Sequence, residues 1–160
     1  MSLHRAAVIA VGLGFGATAA NADWQYTKWN MTPSQVIEAS NGQAEMIKPL
    51  TREYRQRGKW VRSSYKSGEL AFDVVFRFDV NSKGLNMIKL RLKDKSQCDF
   101  LVSALKSEHE NSIAKVISRG WRILSWNDQK SNSRLSYIEG RIGGSPVSCG
   151  IEYTPTKSGA

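Results

Sequence analysis

Between residues 70 and 80 the chain alternates strictly. Leu70, Phe72, Val74, Phe76, Phe78 and Val80 take every second position, and Ala71, Asp73, Val75, Arg77 and Asp79 fill the mostly polar places between them. A period of two marks a strand with one buried face. Asn81-Ser82-Lys83-Gly84 reads as a hairpin turn, with Gly84 suited to positive φ. In the next segment Ile88, Leu90 and Leu92 face one way, and Lys89, Arg91 and Lys93 the other. Residues 59–66, closed by Ser67-Gly68, supply the strand before. Together they form an antiparallel meander with one apolar face.

Helical signals flank this meander. Thr32 is a good N-cap and Pro33 suits the first helical position. Val36, Ile37 and Ala39 give an apolar side, and Asn41-Gly42 ends a two-turn helix over 33–40. Phe100, Leu101, Ala104 and Leu105 place a second helix over 97–110, with Ser96 as its cap. Residues 43–58 and 111–119 carry no clear period. Three more strands are read at Trp121–Trp126, Arg134–Arg141 and Pro146–Tyr153. Trp121 and Trp126 then fall on opposite faces, which leaves one of them exposed. The expected fold class is α+β: an antiparallel β-meander sheet with helices packed on one face, in the order α-βββ-α-βββ.

The N-terminus changes the compartment rather than the fold. Residues 1–22, MSLHRAAVIAVGLGFGATAANA, join a basic start at His4 and Arg5 to an uncharged run ending in Ala20-Asn21-Ala22. That is the pattern of a secretory signal peptide cleaved after Ala22. The apolar run is too short for a membrane span, and none follows in the mature chain. The expected organisation is a signal peptide at 1–22, a single domain at 23–154 and a flexible tail at 155–160, with a periplasmic location. Cys98 and Cys149 are the only thiols. In an exported chain an even pair favours one disulfide. Closing a loop of this length is worth about 4 kcal/mol on the chain-entropy model. With the second helix beginning near Cys98, the bridge is expected to staple that helix to the last strand.

Charge brings in the first candidate chemistry. Lys and Arg number 23 against 14 Asp and Glu, a formal +9, and loss of Arg5 with the leader leaves +8. Arg52, Arg55, Arg57, Lys59, Arg62 and Lys66 fall within 15 residues, interleaved with Tyr54, Trp60 and Tyr65. Arg52, Arg55, Arg57, Trp60, Arg62 and Lys66 form the candidate binding set. Basic residues among aromatics fit an anionic partner. Export excludes nucleic acid, so the partner class is an anionic envelope component or an acidic protein. The alternative reading is a solvated basic edge that blocks strand pairing.

Catalytic signals are sparse. His109 is the only histidine of the mature chain, in the charged run Glu108-His109-Glu110, and reads as a solvated helix residue. No nucleophile elbow, metal-ligand spacing or cofactor motif accompanies it. Asp73 and Asp79 lie about 20 Å apart along one strand, too far for paired-carboxylate hydrolysis. Their expected role is cross-strand pairing with Lys89, Arg91 or Lys93. No catalytic residue, cofactor or metal is assigned. Trp24, Tyr26 and Trp29 are read as an arm folded over the sheet rather than as a binding patch.

Trp29-Asn30-Met31-Thr32-Pro33-Ser34-Gln35-Val36 resembles the G-M-T-x-x-x-V helix opening of small bacterial envelope proteins. These are the outer-membrane-assembly lipoproteins of the SmpA/OmlA (BamE) type and modules similar to beta-lactamase inhibitor protein. Asn30 stands in place of the usual glycine, and the lipid-bearing cysteine is missing. The resemblance implies a non-enzymatic periplasmic module that docks other envelope proteins. The reading is therefore an exported binding or structural module for envelope components. The alternatives are a small secreted carboxylate-dependent hydrolase, its site assembled from distant segments, or a protein inhibitor of an enzyme.

Overall fold

A computed structural model describes residues 24–48, 51–109, 113–128 and 131–156. The expected signal peptide at 1–22 lies outside the described residues, as does the end of the expected tail, 157–160. The first helix, α1 (Pro33–Ala39), follows the predicted signals. Thr32 and Gln35 close a reciprocal capping box, with Pro33 in the first turn. Asn41 and Gly42, both at positive φ, turn the chain out. The short strand β1 (Ala44–Met46) and the five-residue helix α2 (Arg52–Gln56) come next. The first meander continues through β2 (Lys59–Ser67), β3 (Leu70–Phe78) and β4 (Leu85–Leu92). A 3-10 turn at Lys95–Gln97 leads into α3 (Cys98–Glu108). A second meander follows: β5 (Ala114–Ser118), β6 (Trp121–Asp128), β7 (Ser133–Ile142) and β8 (Ser145–Pro155).

This overturns the α+β expectation in the order α-βββ-α-βββ. One eight-stranded sheet dominates, in the order β1-β2-β3-β4-β8-β7-β6-β5, and every neighbouring pair is antiparallel. The helices are few and short. The two extra strands escaped the periodicity argument for physical reasons. Three residues of β1 are too few to show a period. In β5 both faces are exposed, so apolar Val116 and Ile117 sit side by side and no alternation arises. The last strand also runs further than expected, to Pro155, and the Thr156 backbone N–H donates to the Asn132 carbonyl.

The core lies on one face. Phe72, Val74, Phe76 and Phe78 of β3 pair in register with Leu92, Leu90, Ile88 and Leu85 of β4. Ile151 and Tyr153 of β8 and Leu135 and Tyr137 of β7 extend the same buried face. Val36 of α1, and Leu101, Val102 and Leu105 of α3, are buried on this side. The N-terminal arm belongs to the core: Trp24 is buried against Tyr65, Phe76 and Tyr153. Cys98 at the start of α3 is disulfide-bonded to Cys149 of β8, and both are buried, so the bridge joins helix to sheet as expected.

Beside that bridge sits a buried polar cluster. Glu139 of β7 is fully buried. Its Oε1 accepts a hydrogen bond from Arg141 Nη1 at 2.9 Å. Its Oε2 accepts from Arg122 Nη2 at 2.9 Å and from the Tyr137 hydroxyl at 2.6 Å. The Arg122 guanidinium also lies 5.6 Å from the Tyr137 ring centroid.

The two meanders meet where β4 pairs with β8, and Gly150 stands at this seam opposite Arg91. A Cβ at residue 150 would lie 2.1 Å from the Leu90 carbonyl oxygen and 3.2 Å from Arg91 Cα. These are backbone atoms, so they cannot turn aside as a flexible side chain would. Gly150→Ala is expected to cost about 1–3 kcal/mol through overpacking. Thermal unfolding checks this; a stability equal to wild type would show that the seam is not tight.

Candidate binding face

The sheet face opposite the core is open and hollow. Direct cross-strand partners point to the same face, so the registers place side chains in rows across it. One row runs Asp73, Arg91, Gly150, Ile138, Ile123 and Val116, from β3 through β4, β8, β7 and β6 to β5. A neighbouring row carries Arg62, Val75, Lys89 and Glu152. A hollow of about 510 Å³ lies over their middle. Its floor is cut low by Gly150, and Trp121 borders it from the β6 side. The Trp121 ring leans across Gly140, whose missing Cβ would sit 3.4 Å from it. The ring stays 52% exposed. From the other side Tyr54 of α2 reaches the hollow beside Lys59. A second hollow of about 470 Å³, bordered by Glu45, Arg62, Asp73 and Val75, continues the depression toward β1.

Cations dominate this face. Lys89 is 2.9 Å from Glu152, Lys93 is 3.2 Å from Asp73, and Arg62 is 2.8 Å from Glu45. Arg91 and Lys59 have no carboxylate within salt-bridge distance among the described residues. Burial, together with the charges of Arg57, Lys89 and Arg77, pushes the Lys59 ammonium below its usual pKa range. A group held that way gains from an incoming anion, which offsets the crowding of positive charge.

The binding set read from sequence is scattered over this part of the molecule. Arg52 and Arg55 are exposed on α2, and Arg57, at its C-cap, is paired with Glu53 at 2.9 Å. Trp60 sits at a bulge in β2 and packs against the core, with Lys83 Nζ 4.9 Å from its ring centroid. Arg62 and Lys66 stand on β2 in the phase of the open face. Thus Arg62 joins the depression, Arg57 acts on Lys59 through its charge, and Trp60 turns away. Lys89, Arg91 and Trp121 were missed as a site because each lies on a different strand from the basic run. The legible signal was the Lys89-x-Arg91-x-Lys93 alternation, three cations on one strand face, together with the expected exposure of one tryptophan. Trp126, the other, is buried.

Two expectations about single residues are corrected. Among the described residues Asp79 makes no cross-strand ion pair: its Oδ1 accepts from the backbone N–H groups of Asn81 and Ser82 within its own turn, and hydrogen bonds from Ser82 and Asn81 hold its carboxyl below the usual range. His109 is half-buried at the C-cap of α3, its ring 6.0 Å from that of Trp126, because the helix ends against the sheet. Asp73 pairs across strands as expected, with Lys93. Asp73 and Glu152 are the carboxylates bordering the main hollow, and each is tied to a lysine of the same face. Among the described residues no group of three or more His, Cys, Asp or Glu gathers to hold a metal ion, and no helix is long and apolar enough to cross a membrane. No family model, no curated protein and no solved structure matches this chain.

Proposed function

We propose that this protein is an exported, non-enzymatic binding module of the bacterial periplasm, and that its hollow sheet face docks an anionic component of the envelope. The observation that carries this reading is the convergence of Lys59, Lys89 and Arg91 on one depression bordered by an exposed tryptophan. Charge draws an anionic partner in, and Trp121 and Tyr54 offer broad amphipathic surface for contact once it arrives. The signal peptide read at 1–22, the formed disulfide and the resemblance to envelope-docking modules all support export and a docking role. From the basic stretch Arg52 to Lys66, Lys59 and Tyr54 border the main hollow and Arg62 borders the second.

The test is binding of the mature chain, residues 23–160, to phosphatidylglycerol vesicles, lipopolysaccharide and envelope extract. Binding should weaken between 0.1 M and 1 M salt, as the Debye length falls from about 10 Å to about 3 Å. Lys59→Glu with Arg91→Glu is expected to weaken binding about tenfold or more. Arg55→Glu with Arg57→Glu and Arg62→Glu should give a smaller loss. Trp121→Ala should lower affinity equally at both salt concentrations, because its contribution is packing. Should the folded Lys59→Glu, Arg91→Glu variant bind every partner as tightly as wild type, the hollow is not the docking site.

A further inference from the structure

We propose that β5 is a receiving edge for an extended, acidic segment of a partner protein, which adds to the sheet as a ninth strand. This site is separate from the hollow and does not depend on the reading given for it. The two edges of the sheet differ. At one end β1 has only three residues, and Glu45 and Arg62 close an ion pair over it. A very short, charged edge of this kind resists further pairing. At the other end β5 offers five residues and, among the described residues, pairs only with β6. Lys115 is its one charged protection; it has no proline and no bulge, and a branched apolar side chain stands on each face. Val116 is 50% exposed on the open face, and its neighbour Ile117, in the opposite phase, is 69% exposed.

The edge is also well anchored. The β5–β6 turn is closed by Arg119 and Gly120, both at positive φ, the pattern of a tight hairpin. The Arg141 backbone N–H donates to the Gly120 carbonyl at 2.7 Å, which ties the turn to β7. An extended segment would therefore meet a preformed strand, and main-chain hydrogen bonds would supply affinity while side chains supply choice.

Charge decides between occupants. From Ile113 to Gly120 the only charged residues are Lys115 and Arg119. A second copy would bring the same two cations to this edge on a chain at +8 once the leader is removed, and like charges across a strand pair are destabilising. An acidic segment meets the same cations favourably. Apolar residues on one of its faces would cover Val116, and a carboxylate on the other would lie beside Lys115.

The experiment uses the mature chain and three synthetic seven-residue peptides. One alternates Glu and Val, one alternates Lys and Val, and one is the Glu peptide with a central proline. Affinity is measured by titration, and amide exchange is followed in isotope-labelled protein. The Glu peptide should bind and slow exchange along β5, the proline peptide should bind at least tenfold more weakly, and the Lys peptide should not bind. Lys115→Glu should invert the preference between the Glu and Lys peptides, and Lys115→Gln, which only deletes the charge, should give an intermediate loss. Vesicle binding by the hollow should be unchanged in both variants. The proposal fails if the proline peptide binds as well as the Glu peptide, or if neither substitution at Lys115 alters peptide preference. It fails too if β5 amides become protected as protein concentration alone is raised, since a second copy would then occupy the edge.

Discussion

Glu139→Ala is expected to lower stability by about 3–5 kcal/mol, the usual cost of removing one partner from a buried ion pair. Glu139 is fully buried, and both carboxylate oxygens are engaged, by Arg141, Arg122 and the Tyr137 hydroxyl. Alanine would remove the carboxylate that neutralises Arg122 and Arg141 and leave the buried Tyr137 hydroxyl with the Cys98 carbonyl alone, at 3.3 Å. On a domain with a total stability of about 5–15 kcal/mol, this is a large fraction. Urea unfolding checks it; a loss under about 1 kcal/mol would mean that water reaches the cluster. Glu139→Met with Arg122→Met removes both charges together and should recover much of the loss.

The same group shapes the acid limb of stability. Burial alone would raise the carboxyl's pKa, but the Tyr137 hydroxyl and the charges of Arg122 and Arg141 outweigh it and hold Glu139 below the usual range. The unfolded chain therefore takes up this proton first, near pH ~4.3. The contribution is complete above that pH and is lost as pH falls from there through the folded value. In Glu139→Gln the acid limb should be shallower than in wild type.

Cys98→Ala with Cys149→Ala is the second large effect, an expected loss of roughly 2–4 kcal/mol. The bridge spans 51 positions and joins the first turn of α3 to β8. Without it, α3 is held mainly by burial of Leu101, Val102 and Leu105, so amide exchange should rise first along that helix. Intact mass with alkylation under non-reducing conditions tests the bridge directly, and two alkylated thiols in the exported protein would contradict it.

Much of this architecture was legible from local chemistry. The alternation from Leu70 to Val80, the Thr32-Pro33 cap and the lone cysteine pair each act over a few residues, or by elimination, so a linear reading recovers them. Glu139 was half-legible: it shares the phase of Leu135 and Tyr137 and so stands on the buried face of β7, but its neutralising Arg122 comes from the adjacent strand. β1 and β5 were not legible. One is too short for a period, and the other is exposed on both faces, so neither leaves an amphipathic trace.

The hollow belongs to the tertiary structure alone. The residues carry their own signals: a lysine and an arginine on the polar face of β4, a tryptophan at the start of β6, a glycine in β8. Their convergence depends on β4 pairing with β8, a contact that joins the ends of two meanders and that no short-range pattern encodes. A one-residue slip in that pairing would turn Gly150 away from Arg91 and close the depression. Sequence determined which side chains point away from the core, because burial imposes a period of two. Only the long-range register decided which of them meet.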